Sequence, residues 1–181
     1  YVFRRKLRGD KEKKEKILVA YCSKAGSTGE VAKAIGELLC EKGTSVDVKL
    51  AKEVTDVSSY DAIVLGSAIY MSNLMSNAVK FLEKFQADLK DKPTAYFVVC
   101  LTMKEDTDVN RETVSSWLQP ARELVQPVGE GLFAGVLDFN RLSLLYRLIM
   151  KGMKETEGDY RDWGAIRAWA SEIKPALIYH D

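Results

Sequence analysis

AYCSKAGSTGEVAKAIGELL, residues 20–39, decides how the rest of the chain is read. An apolar run ends at Cys22, and Ser23, Gly26, Ser27 and Thr28 crowd the loop that follows. A helical pattern then begins at once, with Val31, Ile35, Leu38 and Leu39 on one face. Extended backwards, the apolar run is KILVAYC (16–22), which is short, aliphatic and bounded by charge, as a buried strand is. The helix is expected over 28–42, stopped by Gly43. Strand, tight loop and helix make the unit from which parallel α/β sheets are built.

The same alternation continues outward. SVDVKLA (45–51) alternates and reads as a half-exposed strand near an edge, whereas DAIVLGSA (61–68) and TAYFVVCL (94–101) are continuous apolar runs typical of central parallel strands. GLFAGVL (131–137) is a fifth strand, following a turn at Pro127 and Gly129. Helical spacing recurs over 74–90, 109–125, 141–154 and 162–174, with Pro175 limiting the last. The spacing predicts one α/β domain over 16–181, a doubly wound five-stranded parallel sheet of order 2-1-3-4-5 with helices on both faces. Its switch point lies between the first and third strands, so the loops after strands one, three and four converge on one crevice.

The opening stretch therefore sits where ligands bind. A helix N-terminus offers unpaired N–H groups and the positive end of the helix dipole, the hydroxyls add donors, and Gly26 lets the backbone approach closely. This describes an anion site, most naturally for phosphate. The competing reading is a plain helix cap by Ser27 or Thr28. GxxxxGK[ST] and GxGxxG are both absent, which disfavours nucleoside triphosphates and dinucleotides. A cysteine phosphatase loop would need Arg six positions after Cys22, where Thr28 stands. After the third strand, GSAIYMSN (66–73) brings Tyr70 and Met71 to the same mouth, and LTMKEDTD (101–108) follows the fourth; an aromatic and apolar rim suits a planar ring system.

Composition narrows the function classes. The 181 residues are 46% hydrophobic and 29% charged, as in a globular protein. Cys22, Cys40 and Cys100 form no CxxC and lie in or beside apolar runs, so buried, reduced thiols are expected and a zinc site is not. His180 is the one histidine, which leaves no Ser-His-Asp triad to assemble. Residues 1–16 hold eight Lys/Arg against three Asp/Glu, a net +5, so the remainder of a chain of net charge +1 stands at −4. Residues 1–15 are expected to be a basic, flexible tail, either simply solvated or flanking a removed membrane anchor on its cytoplasmic side. The expected location is cytoplasmic, at the membrane face if the tail docks there, and no nucleic-acid partner is expected.

The SKAGST loop, the following TGEVAKAI and YDAIVLGSAIYMSN resemble the flavodoxin-like family over about 16–174. GSAIYM and YRLIMKGMKETEGDYRDW (146–163) resemble most its menaquinone-dependent protoporphyrinogen oxidase branch. The resemblance implies FMN, its phosphate held by Ser23, Lys24, Ala25, Gly26, Ser27 and Thr28. Ser67, Ala68, Ile69, Tyr70 and Met71 would line one side of the ring system, and Leu101, Thr102, Met103 and Lys104 the other. Cys22 stands where the family usually has Ser or Thr, and DFNRLSLLYRL holds fewer aromatic and basic residues than a typical porphyrinogen oxidase. The implied activity is an FMN-dependent oxidoreductase passing electrons to a quinone, with a porphyrinogen-like substrate and no catalytic side chain named. The alternative is an electron carrier docking on redox proteins, although a body at −4 is less acidic than such carriers usually are. Residues 141–154 bear on the choice: Arg147, Lys151 and Lys154 align beside Leu142, Leu145, Leu148 and Ile149. That pattern suits an anionic membrane surface, with help from residues 1–16, an acidic, apolar substrate such as a porphyrin, a quinone arriving from the bilayer, or simply a helix whose apolar side covers the sheet.

Overall fold

The computed structural model describes residues 15–41 and 43–178. Strand β1 (Glu15–Cys22) begins one residue earlier than its apolar run and pairs in parallel with β2 (Thr44–Leu50) on one side and β3 (Ala62–Tyr70) on the other. Strand β5 (Thr94–Cys100) continues the sheet from β3, and β6 (Gly129–Ala134) closes it. The order is β2-β1-β3-β5-β6, because a two-residue strand β4 (Asn73–Leu74) folds back on the end of β3. Leaving β4 aside, this is the expected 2-1-3-4-5 order.

Strand periodicity divides the core into two layers. Ile17, Val19, Ala62, Val64, Ala95 and Phe97 point to the face covered by helices α1 (Ser27–Leu39) and α6 (Trp163–Ile178). Leu18, Ala20, Ile63, Leu65, Tyr96 and Val98 point to the face covered by α2 (Ser76–Leu89), α3 (Asp108–Ser116) and α4 (Gln119–Leu124). Central strands buried on both faces explain the unbroken apolar runs. Tyr96 lies deep in this core, and its hydroxyl donates to the Val125 carbonyl at 2.6 Å, which satisfies the polar atom.

Several boundaries differ from the sequence pattern. The single helix expected over 109–125 is two, α3 and α4, because Pro120 lacks the N–H that would carry the first across Trp117 and Leu118. The fifth strand stops at Ala134; after Gly135, β7 (Val136–Leu137) pairs instead with β8 (Gly158–Asp159) in a small antiparallel ribbon. Pro175 does not end α6: buried Ile173 and Leu177 hold the last turns on the sheet despite the lost hydrogen bond. Cys40 is exposed at the end of α1, while Cys22 and Cys100 are buried. Trp117, Trp163 and Trp169 pack against the two core layers but are only partly buried. The basic tail, apart from Glu15 and Lys16, lies outside the described residues, as does His180.

The helix after β6 departs most. α5 (Leu144–Gly152) is shorter than 141–154, begins at Ser143, whose hydroxyl accepts from the Tyr146 N–H, and leaves Lys154 beyond its end with φ of +58°. Its apolar side does not cover the sheet. Leu144, Leu145, Leu148 and Met153 are each more than 60% exposed, and of the nine helical residues only Met150 is buried.

Candidate functional site

Loops leaving the carboxyl ends of β1, β3 and β5 meet at one crevice, as the switch-point argument requires. The first wall is the loop 23–28. Gly26, not Ser27 or Thr28, stands at the helix N-cap, in the left-handed region at φ of +91°, and no side chain caps α1. The Gly26 N–H donates instead to Ser23 Oγ at 2.8 Å, which folds the loop into a tight turn. The hydroxyls of Ser27 and Thr28 are thus left over from capping. Thr28 is fully buried, and its Oγ1 has no hydrogen-bond partner. A buried hydroxyl without a partner costs about 1–3 kcal/mol, and an acceptor bound in the crevice removes that penalty.

The second wall comes from β3 and its turn. Ala68, Ile69 and Tyr70 line the crevice. Ser67 is buried behind them, and its Oγ accepts from the Met75 N–H at 3.1 Å, which ties the hairpin back. The two-residue turn Met71–Ser72 holds both residues at positive φ, +49° and +61°. Such hairpin turns ordinarily carry Asn-Gly; Met-Ser there stores backbone strain of about 1–2 kcal/mol per residue. Lys24 Nζ sits 3.8 Å from the centre of the Tyr70 ring, which bridges the first two walls.

Leu101 is the one residue of 101–104 that reaches the crevice, beside Val99 and Cys100 of β5. Thr102 faces a neighbouring cavity, and Met103 is buried in the core. Lys104 turns towards Glu155 at 3.6 Å and the Tyr160 ring. Met71 is 68% exposed at the rim.

The fourth wall had no signal in the loop motifs. It is formed by Gly135, Val136 and Leu137 after β6, by Arg141 and Leu142, and by Ser143 and Tyr146 at the start of α5. Arg141 Nη1 donates to the Ala25 carbonyl at 3.1 Å, and its Nε lies 3.2 Å from Asp138. A cation is thereby fastened to the outside of the loop 23–28. Tyr146 packs on Tyr70 with ring centres 4.7 Å apart, and burial beside Tyr70 holds its phenol pKa up. This contact pinches the crevice to about 160 Å³, below the roughly 300–1,000 Å³ usual for a ligand site. Cys22, behind the loop, is no thiolate: burial pushes its pKa up to about 11.

An anion cradle at the switch point of a 2-1-3-4-5 parallel sheet, with an aromatic-rimmed slot beside it, defines a flavodoxin-type site. The flavodoxin domain matches residues 18–163, and the chain belongs to that family. It is 26% identical over 183 residues to protoporphyrinogen IX dehydrogenase [quinone] of Escherichia coli K12, covering 90% of this chain and 99% of that protein. In structure it is similar to a flavodoxin from the domain Archaea, with TM-score 0.57, 19% identity and coverage of 91% and 99% of the two chains. An NADH:FMN oxidoreductase in its apo form gives TM-score 0.58 at 12% identity, covering 92% and 91%. The cofactor of the fold and family is FMN. The phosphate end of the crevice fits it: a positive-φ glycine, a helix N-terminus and an unpartnered buried hydroxyl converge there. The ring end is narrowed by the Tyr70–Tyr146 contact.

Proposed function

We propose that the protein is an FMN-dependent oxidoreductase that oxidises a porphyrinogen-like substrate and passes the electrons to a quinone. The observation that carries the reading is the match, over 99% of its length, to an Escherichia coli enzyme named for that reaction. The exposed apolar helix α5 beside the crevice adds to it, because an acceptor dissolved in lipid must be met at a membrane.

FMN supplies the redox chemistry, and the chain's residues place it. The N–H groups of Lys24, Ala25, Ser27 and Thr28 and the hydroxyls of Ser23, Ser27 and Thr28 would hold the phosphate, with Gly26 shaping the turn and Arg141 as the nearby cation. Ala68, Ile69 and Tyr70, flanked by Ser67 and Met71, form one side of the ring slot. Leu101, flanked by Thr102, forms the other. Tyr146 covers the opening and excludes water. No histidine or other acid-base side chain is assigned a role.

α5 also presents Lys151 alongside Leu144, Leu145 and Leu148, an arrangement that suits an anionic bilayer surface. These features support a location at the membrane face, with α5 as the contact.

The test is anaerobic. FMN-loaded protein is mixed with protoporphyrinogen, with and without a menaquinone analogue, and porphyrin fluorescence is followed. Quinone-dependent porphyrin formation above that given by free FMN is the expected result. Its absence in fully loaded protein refutes the porphyrinogen reading and favours an electron carrier. Binding to phosphatidylglycerol vesicles, lost in Leu145→Glu/Leu148→Glu, tests the membrane contact separately.

A further inference from the structure

Next to the flavin crevice lies a second cavity of about 540 Å³, within the range of small-molecule sites. The two share Ile69, Cys100, Leu101 and Tyr146, so one layer of side chains separates them. The second cavity opens between the strained Met71–Ser72 turn, Trp117 and the side of α5 carrying Ile149 and Met153. Most of its lining is apolar. Its polar side chains are the hydroxyl residues Ser72, Thr102 and Tyr146, the Trp117 indole and the carboxylate of Glu155. Neither Lys nor Arg lines it among the described residues.

We infer that this cavity binds the ring of a quinone-class acceptor: a flat, neutral, lipid-soluble molecule whose carbonyls accept from hydroxyl donors. The inference rests on the oxidoreductase reading above and names the acceptor's place in it. Charge decides between the two candidate occupants. A porphyrinogen carries carboxylates, and the one carboxylate in the wall, Glu155, already takes the Lys104 ammonium at 3.6 Å, which leaves the lining no unpaired cation to receive them. A quinone carries no charge and meets Trp117, Ile149 and Met153 as an apolar ring does. Location supports the same choice. Ile149 and Met153 belong both to the cavity and to the exposed apolar side of α5, so the cavity mouth is continuous with Leu145 and Leu148. A hydrocarbon tail emerging from the mouth runs along that surface. The shared wall puts the ring one side chain away from the flavin slot.

Trp117 makes the site observable. FMN-loaded protein is titrated with menadione, a tail-less naphthoquinone, by equilibrium dialysis and by tryptophan fluorescence. Saturable binding with quenching is expected. Ile149→Glu should weaken it at least tenfold, whereas Val109→Glu, a change at an exposed apolar residue of α3, should leave it within twofold; flavin content and melting temperature should be unchanged in both. Trp117→Phe should retain binding and lose most of the quenching. Binding to Ile149→Glu within twofold of the unmodified protein overturns the inference, as does full quenching in Trp117→Phe. With the bound FMN first reduced by one equivalent of dithionite, menadione reduction to the quinol at an undiminished rate by Ile149→Glu overturns the site while leaving the oxidoreductase reading standing. A protein that neither binds nor reduces menadione removes both.

Discussion

Arg141→Ala should separate phosphate recognition from ring recognition. The guanidinium reaches across from the segment after β6, donates to the Ala25 carbonyl at 3.1 Å, and lies 3.2 Å from Asp138 and 4.0 Å from Glu30. A charge-assisted hydrogen bond is worth roughly 1.5–3 kcal/mol. The Arg141 side chain is 51% exposed, so solvent and the two carboxylates reduce its share to about 1–1.5 kcal/mol, close to tenfold in affinity. Truncation also leaves Asp138 and Glu30 beside the phosphate dianion with less positive charge between them, which acts in the same direction. The assay is titration of apoprotein with FMN, read by quenching of flavin fluorescence, with riboflavin run in parallel. Arg141→Ala should weaken FMN about tenfold and riboflavin by less than twofold; added salt should shrink the difference. Equal losses for the two ligands, or no loss for FMN, would refute the assignment of Arg141 to the phosphate end.

Thr28→Val keeps the shape and removes the unpartnered hydroxyl. Apoprotein stability should hold or rise by up to about 1 kcal/mol in denaturant titration, while FMN affinity falls about fivefold to tenfold. Gly66→Ala places a methyl 2.0 Å from Phe97 Cζ in the middle of the sheet, and overpacking of that kind should cost about 3 kcal/mol in the same titration. A chromogenic disulfide reagent at pH 8 should find one fast thiol, Cys40, with Cys22 and Cys100 reacting only on unfolding. Burial raises the folded Cys22 pKa to about 11, against about 8.5 unfolded. The folded state therefore keeps its proton longer, and stability should decline as pH rises through that interval, a trend that Cys22→Ser should flatten.

The sheet was legible because its signals are local. Five apolar runs of strand length, separated by helical spacing, leave few arrangements once crossovers are right-handed, and the observed order follows. The loop 23–28 was legible for the same reason: small and hydroxylated residues between a strand and a helix have one strong use at a switch point. The boundaries that slipped did so where a local signal met packing. Pro175 signals a helix end, yet Ile173 and Leu177 on the buried side carry α6 past it. Pro120 lay inside an apolar spacing regular enough to read as one helix, and its missing N–H made two.

By itself the sequence determined the fold class, the place of the loop 23–28 at the switch point and the family, because each depends on residues close together along the chain. Only the tertiary structure decided which side chains complete the site. Arg141 meets Ala25 across 116 positions, and Tyr146 meets Tyr70 across 76. No periodicity encodes such pairs; they follow from where β6 ends and how the chain turns at Gly135. Helix α5 makes the same point most clearly. Its apolar spacing is that of a helix covering a sheet, and the pattern is the same whether the apolar side is buried or bare. Whether a neighbour exists to cover it is a property of the packed chain, and here Leu144, Leu145 and Leu148 have none among the described residues.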